Sequence, residues 1–217
     1  MLENKIYKIA ILGPQACGKG TQAEFLADKL KIPAISVGQL LREEIKIGST
    51  VAAQIKEEMN AGGLVSNAII NLIVKKRLTQ PDAANGFIFD GFPRIKIQAE
   101  FFATFSTFNH VIVIEISDAE ALSRLSGRRT CSGCGKVYHL KFSPPKVAGV
   151  CDDDNEKLII RADDTPEAIR ERLKIYHVET EEVIGFYEQQ GIVIHVNGEQ
   201  SIEAVREEVF KKLKLNF

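Results

Sequence analysis

Gly13-Pro-Gln-Ala-Cys-Gly-Lys-Gly-Thr21 sets glycines, a lysine and a hydroxyl in one short turn, after the apolar run Ile6–Leu12 and ahead of a helical pattern. Strand, glycine turn and helix in that order make a cradle for phosphate. Glycines let backbone N–H groups face inward, and the helix N-terminus adds a favourable dipole. The spacing Gly13-x4-Gly18-Lys19 lets Lys19 reach terminal phosphates and puts Thr21 within range of a bound Mg²⁺, although Gly20 stands where a hydroxyl residue is usual.

A second group lies at Asp90-Gly-Phe-Pro-Arg94, at the carboxyl end of an apolar run, where ligands bind in open α/β sheets. Asp90 can hold water on Mg²⁺, Gly91 allows close approach, and Arg94 offers a planar fork for phosphate. The plainer reading makes Asp90 a turn residue and Arg94 a surface charge. Further arginines, Arg42, Arg124, Arg128, Arg129, Arg161, Arg170 and Arg172, gather near segment boundaries. Singly each is a solvated charge, but together they suit a reaction that collects negative oxygens. Such catalysis is positioning and charge neutralisation and needs no nucleophilic side chain. The four histidines are scattered and form no triad.

A third group is Cys131-Ser-Gly-Cys134 with Cys151-Asp-Asp-Asp154. Two such knuckles facing each other across a small β lobe supply tetrahedral donors for a structural Zn²⁺. Asp154 takes the place of a second cysteine and is the natural fourth ligand; His139 is the competing donor. Iron or cobalt suits the same thiolate cage.

The elements that must position these groups are read from the hydrophobic pattern. Strands are expected at Ile6–Leu12, Ala34–Ser36, Gly86–Asp90, Val111–Ile116 and Ile192–Val196, nearly continuous in apolar residues as in strands buried on both faces. Helical periods lie at Lys19–Leu30, Gln39–Ile47, Val51–Asn60, Ala68–Leu78, Gln98–Phe105, Ala119–Leu125, Pro166–Gln190 and Ile202–Leu213. Alternation of this kind predicts an α/β fold with a parallel sheet between helices. Two stretches break it, Val37 to Leu78 and Gly127 to Asp164, and read as lobes inserted at loops of the core and able to act as lids.

With 217 residues, 45% hydrophobic and 26% charged, the chain is of ordinary globular composition, and its net charge of −1 supplies no basic field for nucleic acid. No apolar run has membrane-spanning length and no signal-peptide layout opens the sequence, so the expected compartment is the cytoplasm. The four cysteines do not form a disulfide set.

Six segments in order closely resemble the adenylate kinase family: GPQACGKGTQ, ISVGQLLR, AGGLVS, DGFPRIKIQ, RLSGRRTCSGCGKVYH and RADDTPEAIRERL. The cysteine-bearing insert is similar to that of the long-lid, zinc-containing branch. The resemblance implies a P-loop NTPase-like three-layer α/β/α core at 1–35, 66–126 and 165–217. It also implies a helical lobe binding nucleoside monophosphate at 36–65 and a small β zinc-bearing lid at 127–164. The implied reaction is reversible, Mg²⁺-dependent transfer from ATP to AMP giving two ADP, by a monomer engaging neither nucleic acid nor membrane.

Carried over by position, Ala16, Cys17, Gly18, Lys19, Gly20 and Thr21 would hold ATP phosphates. Arg124 and Arg128 would approach them from the lid, Val137 and Tyr138 would border the ATP base, and Gln200 would meet adenine through its backbone. Arg42, Arg94, Arg161 and Arg172 would surround the AMP phosphate and transfer site. Val37, Gly63, Leu64, Val65 and Gln98 would shape the acceptor base pocket, beside Gly91, Phe92 and Pro93. Lys19, Arg94, Arg128, Arg161 and Arg172 would carry catalysis. Asp163 and Asp164 either orient lid arginines or cap the helix beginning at Pro166.

The chain departs from the family where Val37 replaces a threonine, Gln39 an aspartate, Ala16 a loop glycine and Ile95 a threonine. One lost hydrogen bond to a neutral ligand group costs about 0.5–1.5 kcal/mol. That opens the alternative of a kinase preferring UMP or CMP, which Gln98 weighs against. A zinc-ribbon module with nucleotide as a regulatory ligand is a more distant alternative.

Overall fold

The structure, a computed structural model, describes residues 6–215. Residues 1–5 and 216–217, assigned to the core from sequence, lie outside the described residues.

The core sheet is formed by β1 (Tyr7–Leu12), β2 (Ala34–Ser36), β3 (Gly86–Asp90), β4 (His110–Glu115) and, after the three short strands of the insert, β8 (Val193–Asn197). All its pairings are parallel, in the order β2-β3-β1-β4-β8. Side chains alternate faces with a period of two. Ile9, Ile11, Ile88, Ile112 and Ile114 face α1 (Lys19–Leu30) and α9 (Ile202–Lys212) through Leu26, Val205 and Val209. Ala10, Leu12, Phe87, Phe89, Val111 and Val113 face the other way. There they pack on α4 (Asn67–Leu78), α5 (Lys96–Ala103) and α8 (Glu181–Glu188). Burial on both faces is why these strands read as unbroken apolar runs. Each fully buried Ile or Phe contributes about 1.5–3 kcal/mol.

Two groups of elements interrupt the alternation of the core, while α4, read with the first insert from sequence, packs on the sheet. The first carries α2 (Val37–Lys46) and α3 (Ala52–Asn60). The second comes after α6 (Asp118–Gly127) and is an antiparallel sheet of β5 (Arg128–Cys131), β6 (Val137–His139) and β7 (Leu158–Ile159), in the order β6-β5-β7. The lobes meet above the core: Lys46 Nζ donates to the Gly133 carbonyl at 3.1 Å, and a Cβ built on Gly135 would lie 2.7 Å from the Gln39 amide.

The single helix expected over Pro166–Gln190 is instead α7 (Pro166–Ile175), a π-turn (Tyr176–Thr180) and α8. Ile169 and Leu173 of α7 pack on Ala121 and Leu125 of α6, whereas Val183, Ile184 and Tyr187 of α8 pack on the sheet. One apolar stripe cannot serve both neighbours, and the wide turn re-aims the second half. His177 pins that turn, with Nε2 2.9 Å from Asp118 and Nδ1 2.7 Å from Glu181. His195 similarly bridges Glu115 at 2.9 Å and Glu188 at 3.0 Å.

Both histidines have raised pKa values. For His177 the bonds to Asp118 and Glu181 dominate; for His195 partial burial opposes, but Glu115 and Glu188 together outweigh it. A folded pKa above the unfolded value means stabilisation that is complete below the unfolded pKa and fades as pH rises through the folded one. The melting-temperature gap between wild type and the double variant His177→Asn/His195→Asn should therefore be widest near pH ~5.5 and shrink by more than about half near pH ~8.5. A gap that grows with pH would contradict this account.

Candidate nucleotide site and metal centre

The loop after β1 and the segment after β3 leave the sheet side by side, because those strands are neighbours and the Gly91 N–H donates to the Ile11 carbonyl at 3.0 Å. Gly13 admits no side chain: its φ is +142° and a Cβ would lie 2.2 Å from the Ile114 carbonyl oxygen. Ala16, in place of the family's glycine, holds a left-handed φ of 58°. A single residue so placed costs of order 1 kcal/mol, which the rest of the loop must offset. Lys19 folds into the loop, its Nζ 2.8 Å from the Gly13 carbonyl, 2.6 Å from that of Pro14 and 3.5 Å from Cys17 Sγ. Burial pushes the Cys17 thiol up despite the Lys19 ammonium, so this cysteine packs the loop and is no nucleophile. Gly20 lies beside Asp90, whose Oδ2 would be 3.6 Å from an added Cβ, and a Cβ on Gly91 would have both Arg94 Nη2, at 3.7 Å, and Lys19 Cε, at 3.9 Å, as neighbours.

Around this point the fold gathers half-buried arginines from separate elements: Arg42 on α2, Arg94 after β3, Arg128 on β5, Arg161 after β7 and Arg172 on α7. Arg128 grips Asp164 with two bonds, one at 2.9 Å from Nε to Oδ2. Arg172 Nη1 donates to the Asp163 carbonyl at 3.0 Å and to its Oδ2 at 3.1 Å, and lies 3.5 Å from Asp164. Arg161 Nε donates to Thr130 Oγ1 at 2.9 Å, and Arg42 Nε to Gln39 Oε1 at 3.3 Å. The helix cap before Pro166 is Thr165, which accepts from the Ala168 N–H at 3.2 Å. Asp163 and Asp164 are thus given over to arginines.

Charge in this cleft is unbalanced. Arg42, Arg94 and Arg172 have lowered pKa values, from burial first; Arg128 adds to the effect at Arg42 and Arg172, and Arg172 adds to it at Arg94. Arg161 is pushed down to about 9 by burial and then by Arg42 and Arg128. Burial acts to raise Asp163, yet Arg172, Arg161, Arg42 and Arg128 together bring it below the usual carboxylate range. Such a cleft favours dense negative charge. Arg129 and Arg170 stay outside it: Arg129 donates to the Ser126 and Arg128 carbonyls, and Arg170 is a surface charge near Glu167.

Arg124 stands at the lobe root, with Nε 2.6 Å from Glu120 Oε1 and Nη2 2.9 Å from the Gly198 carbonyl. Its guanidinium lies 5.7 Å from the Phe142 ring, beside a cleft of about 460 Å³ that Glu120, Ser123, His139 and Phe142 help to line. The turn carrying Gln200 meets Arg124 at Gly198, and the Gln200 side chain itself is bonded to the Asn197 carbonyl and Glu208. Val37 is buried at the start of α2 and Val65 near it in the same apolar cluster. Gln98 is 3% exposed; its Oε1 accepts from the Arg94 N–H at 2.9 Å and its Nε2 donates to Asn67 Oδ1 at 3.1 Å.

Cys131, Cys134, Cys151 and Asp154 bring one ligand atom each within 4.8 Å of one another. Cys131 Sγ accepts from the Gly133 N–H at 3.3 Å and the Cys134 N–H at 3.4 Å. Three thiols and a carboxylate are the donor set of a closed tetrahedral site. Tyr138 points into this cluster, accepting from the Asp152 N–H at 2.8 Å and sharing a hydrogen bond with Cys151 Sγ at 3.4 Å. Any contact of Tyr138 with a base would therefore be through its backbone. His139 is committed elsewhere: Nε2 donates to the Arg124 carbonyl and Nδ1 accepts from the Lys141 and Phe142 N–H groups. Asp154, and not His139, completes the cluster.

The adenylate kinase family model matches residues 11–192. The chain belongs to the adenylate kinase family. This membership supports nucleoside monophosphate kinase activity and weighs against the reading as a zinc-ribbon module with a merely regulatory nucleotide. Among the described residues no helix is long and apolar enough to cross a membrane. Sequence reasoning missed Thr130 and Thr180, hydroxyls that hold Arg161 and the Arg94 backbone. Thr130 lies within the segment that begins at Arg124 but at a position given no role there, Thr180 lies in none of the six segments, and only the folded chain brings each to its arginine.

Purified from zinc-containing medium, the chain should carry about one zinc per molecule, and Cys151→Ser should lower that content and drop the melting temperature by more than about 5 °C, with activity in the cold largely kept. Metal-free protein that melts at the same temperature as the loaded form would refute a structural metal.

Proposed function

We propose that this adenylate kinase family member transfers the terminal phosphoryl group of ATP to AMP, reversibly giving two ADP, and so balances adenine nucleotides. One observation carries the reading: a phosphate-loop lysine and five arginines converge on one cleft in which two aspartates pair with only some of them. A single phosphate would not call for so many cations; two polyphosphate tails meeting end to end would.

In this reading the amides of residues 16–21 and Lys19 hold the ATP phosphates, with Arg124 and Arg128 closing over them from the β lobe. The backbones of Val137, Tyr138 and Gln200 border its base. Arg42, Arg94, Arg161 and Arg172 hold the AMP phosphate, and Val37, Gly63, Leu64, Val65 and Gln98 enclose the acceptor base, with Gly91, Phe92 and Pro93 permitting close approach. The core spans 1–35, 66–126 and 165–217, the acceptor lobe 36–65 and the lid 127–164. Mg²⁺, when bound with ATP, neutralises phosphate charge, and Asp90 would hold its water. Zn²⁺ in the lid has no open position and would be structural.

Transfer then needs no covalent intermediate. Lys19 and the arginines align donor and acceptor oxygens and neutralise charge on the moving group, and lobe closure keeps water from competing with AMP. The acceptor base is argued from Gln98. Because the Arg94 N–H can only donate, Gln98 must present its oxygen there, which leaves one N–H of its Nε2 for an acceptor nitrogen of adenine. The apolar Val37, 5% exposed, favours a second reading with UMP or CMP as acceptor, because it removes a hydroxyl beside the base.

Rates with ATP and each of AMP, GMP, CMP and UMP at equal concentration decide between them, and kcat/KM for AMP should exceed the others by at least about tenfold. A pyrimidine monophosphate leading the panel would reverse the assignment. Lys19→Met should fold normally and lower kcat by about 10²-fold or more. Near-normal ADP formation by that variant would contradict the role given to Lys19.

A further inference from the structure

A threonine within a helix ordinarily turns its hydroxyl back to a carbonyl of the preceding turn. Thr180, 6% exposed, instead donates its hydroxyl at 2.9 Å to the backbone carbonyl of Arg94. It is the last residue of the π-turn Tyr176–Thr180 between α7 and α8. A π-turn inserts an extra residue and rotates the downstream helix by about 100°, and such turns recur at functional sites. We propose that Thr180, aimed by this π-turn, is a positioning residue for Arg94 and fixes the guanidinium that meets the transferred phosphoryl group. The proposal rests on the phosphoryl-transfer reading of the cleft.

Arg94 lies between β3 and α5, with no sheet ladder or helix of its own to hold it. Three bonds take over that task. Its N–H donates to Gln98 Oε1 at 2.9 Å, its carbonyl accepts from Thr180, and its Nε donates to the Gly91 carbonyl at 3.1 Å. A guanidinium ~6 Å from its Cα moves by more than ~1 Å when the backbone turns by about 15°. Misplacement of that size costs positioned reactions about 10²-fold. The π-turn is itself anchored, since His177 ties it to Asp118 at the start of α6 and to Glu181 at the start of α8. The same rod carries Arg172 on α7, so one helical element both supplies an arginine and holds another.

The test is steady-state kinetics of ADP formation by wild type, Thr180→Val, Thr180→Ser and Arg94→Lys, and by Thr180→Val in the Arg94→Lys background. Thr180→Val should lower kcat by about tenfold or more while changing KM for either nucleotide by less than about threefold, and Thr180→Ser should stay within about twofold of wild type. In the Arg94→Lys background Thr180→Val should cause little further loss, because the two residues act as a unit. Unchanged kcat in folded Thr180→Val, failure of Thr180→Ser to keep activity, or multiplicative losses in the double variant would each overturn the proposal. If circular dichroism shows Thr180→Val unfolded, Thr180→Ser and Thr180→Ala carry the comparison: kcat kept in the first and lost in the second supports the proposal, and equal kcat refutes it. An inactive wild type would refute the kinase reading and the proposal with it; an active wild type indifferent to Thr180 would refute the proposal alone.

Discussion

The withdrawal of several guanidinium groups from water into one cleft is the constraint on which the rest of this structure depends. Arg42, Arg94, Arg161 and Arg172 all have lowered pKa values, the mark of cations held out of water and close to their own kind. Left alone they would swing into solvent. Asp163 and Asp164 pair with Arg172 and Arg128, Thr130 holds Arg161, and backbone bonds fix Arg94. Those contacts orient the arginines without cancelling their charge, and the surplus remains for a ligand. Interactions prepared before the ligand arrives need little reorganisation when the reaction occurs.

Every layer of the fold serves that arrangement. The parallel sheet sets the Gly13–Gly18 loop beside Asp90–Arg94, and its burial on both faces makes the platform rigid. The two inserted segments carry Arg42 and Arg128, and they touch through Lys46 and Gly133. Gly133 belongs to the cysteine knuckle, so the lobe that could hold a metal is also the one on which the helical lobe rests. A metal there would act on catalysis only by keeping that lobe folded.

Much of this was legible from residue order. The strand–glycine–helix sequence announced the phosphate loop, α1 lies over Lys19–Leu30 as its periodicity predicts, and the paired knuckles named the cysteine cluster together with Asp154. What escaped was non-local. No periodicity rule foretells a π-turn, because the reason for it is that α7 must face α6 while α8 faces the sheet. Nor could spacing decide between two uses of Asp163 and Asp164, since cap and ion pair need the same residues in the same place. Nor does spacing say where the Tyr138 side chain goes: β-strand alternation turns it inward onto the cysteine cluster while Val137 faces out.

The most direct test of the arginine account is a crystal structure with an adenosine–polyphosphate–adenosine ligand that spans both nucleotide sites. The account predicts phosphate oxygens within hydrogen-bond distance of Lys19 and of Arg42, Arg94, Arg128, Arg161 and Arg172, with Asp163 and Asp164 still holding Arg172 and Arg128. A ligand whose phosphates lie away from that cluster, leaving the arginines in their present contacts, would contradict it.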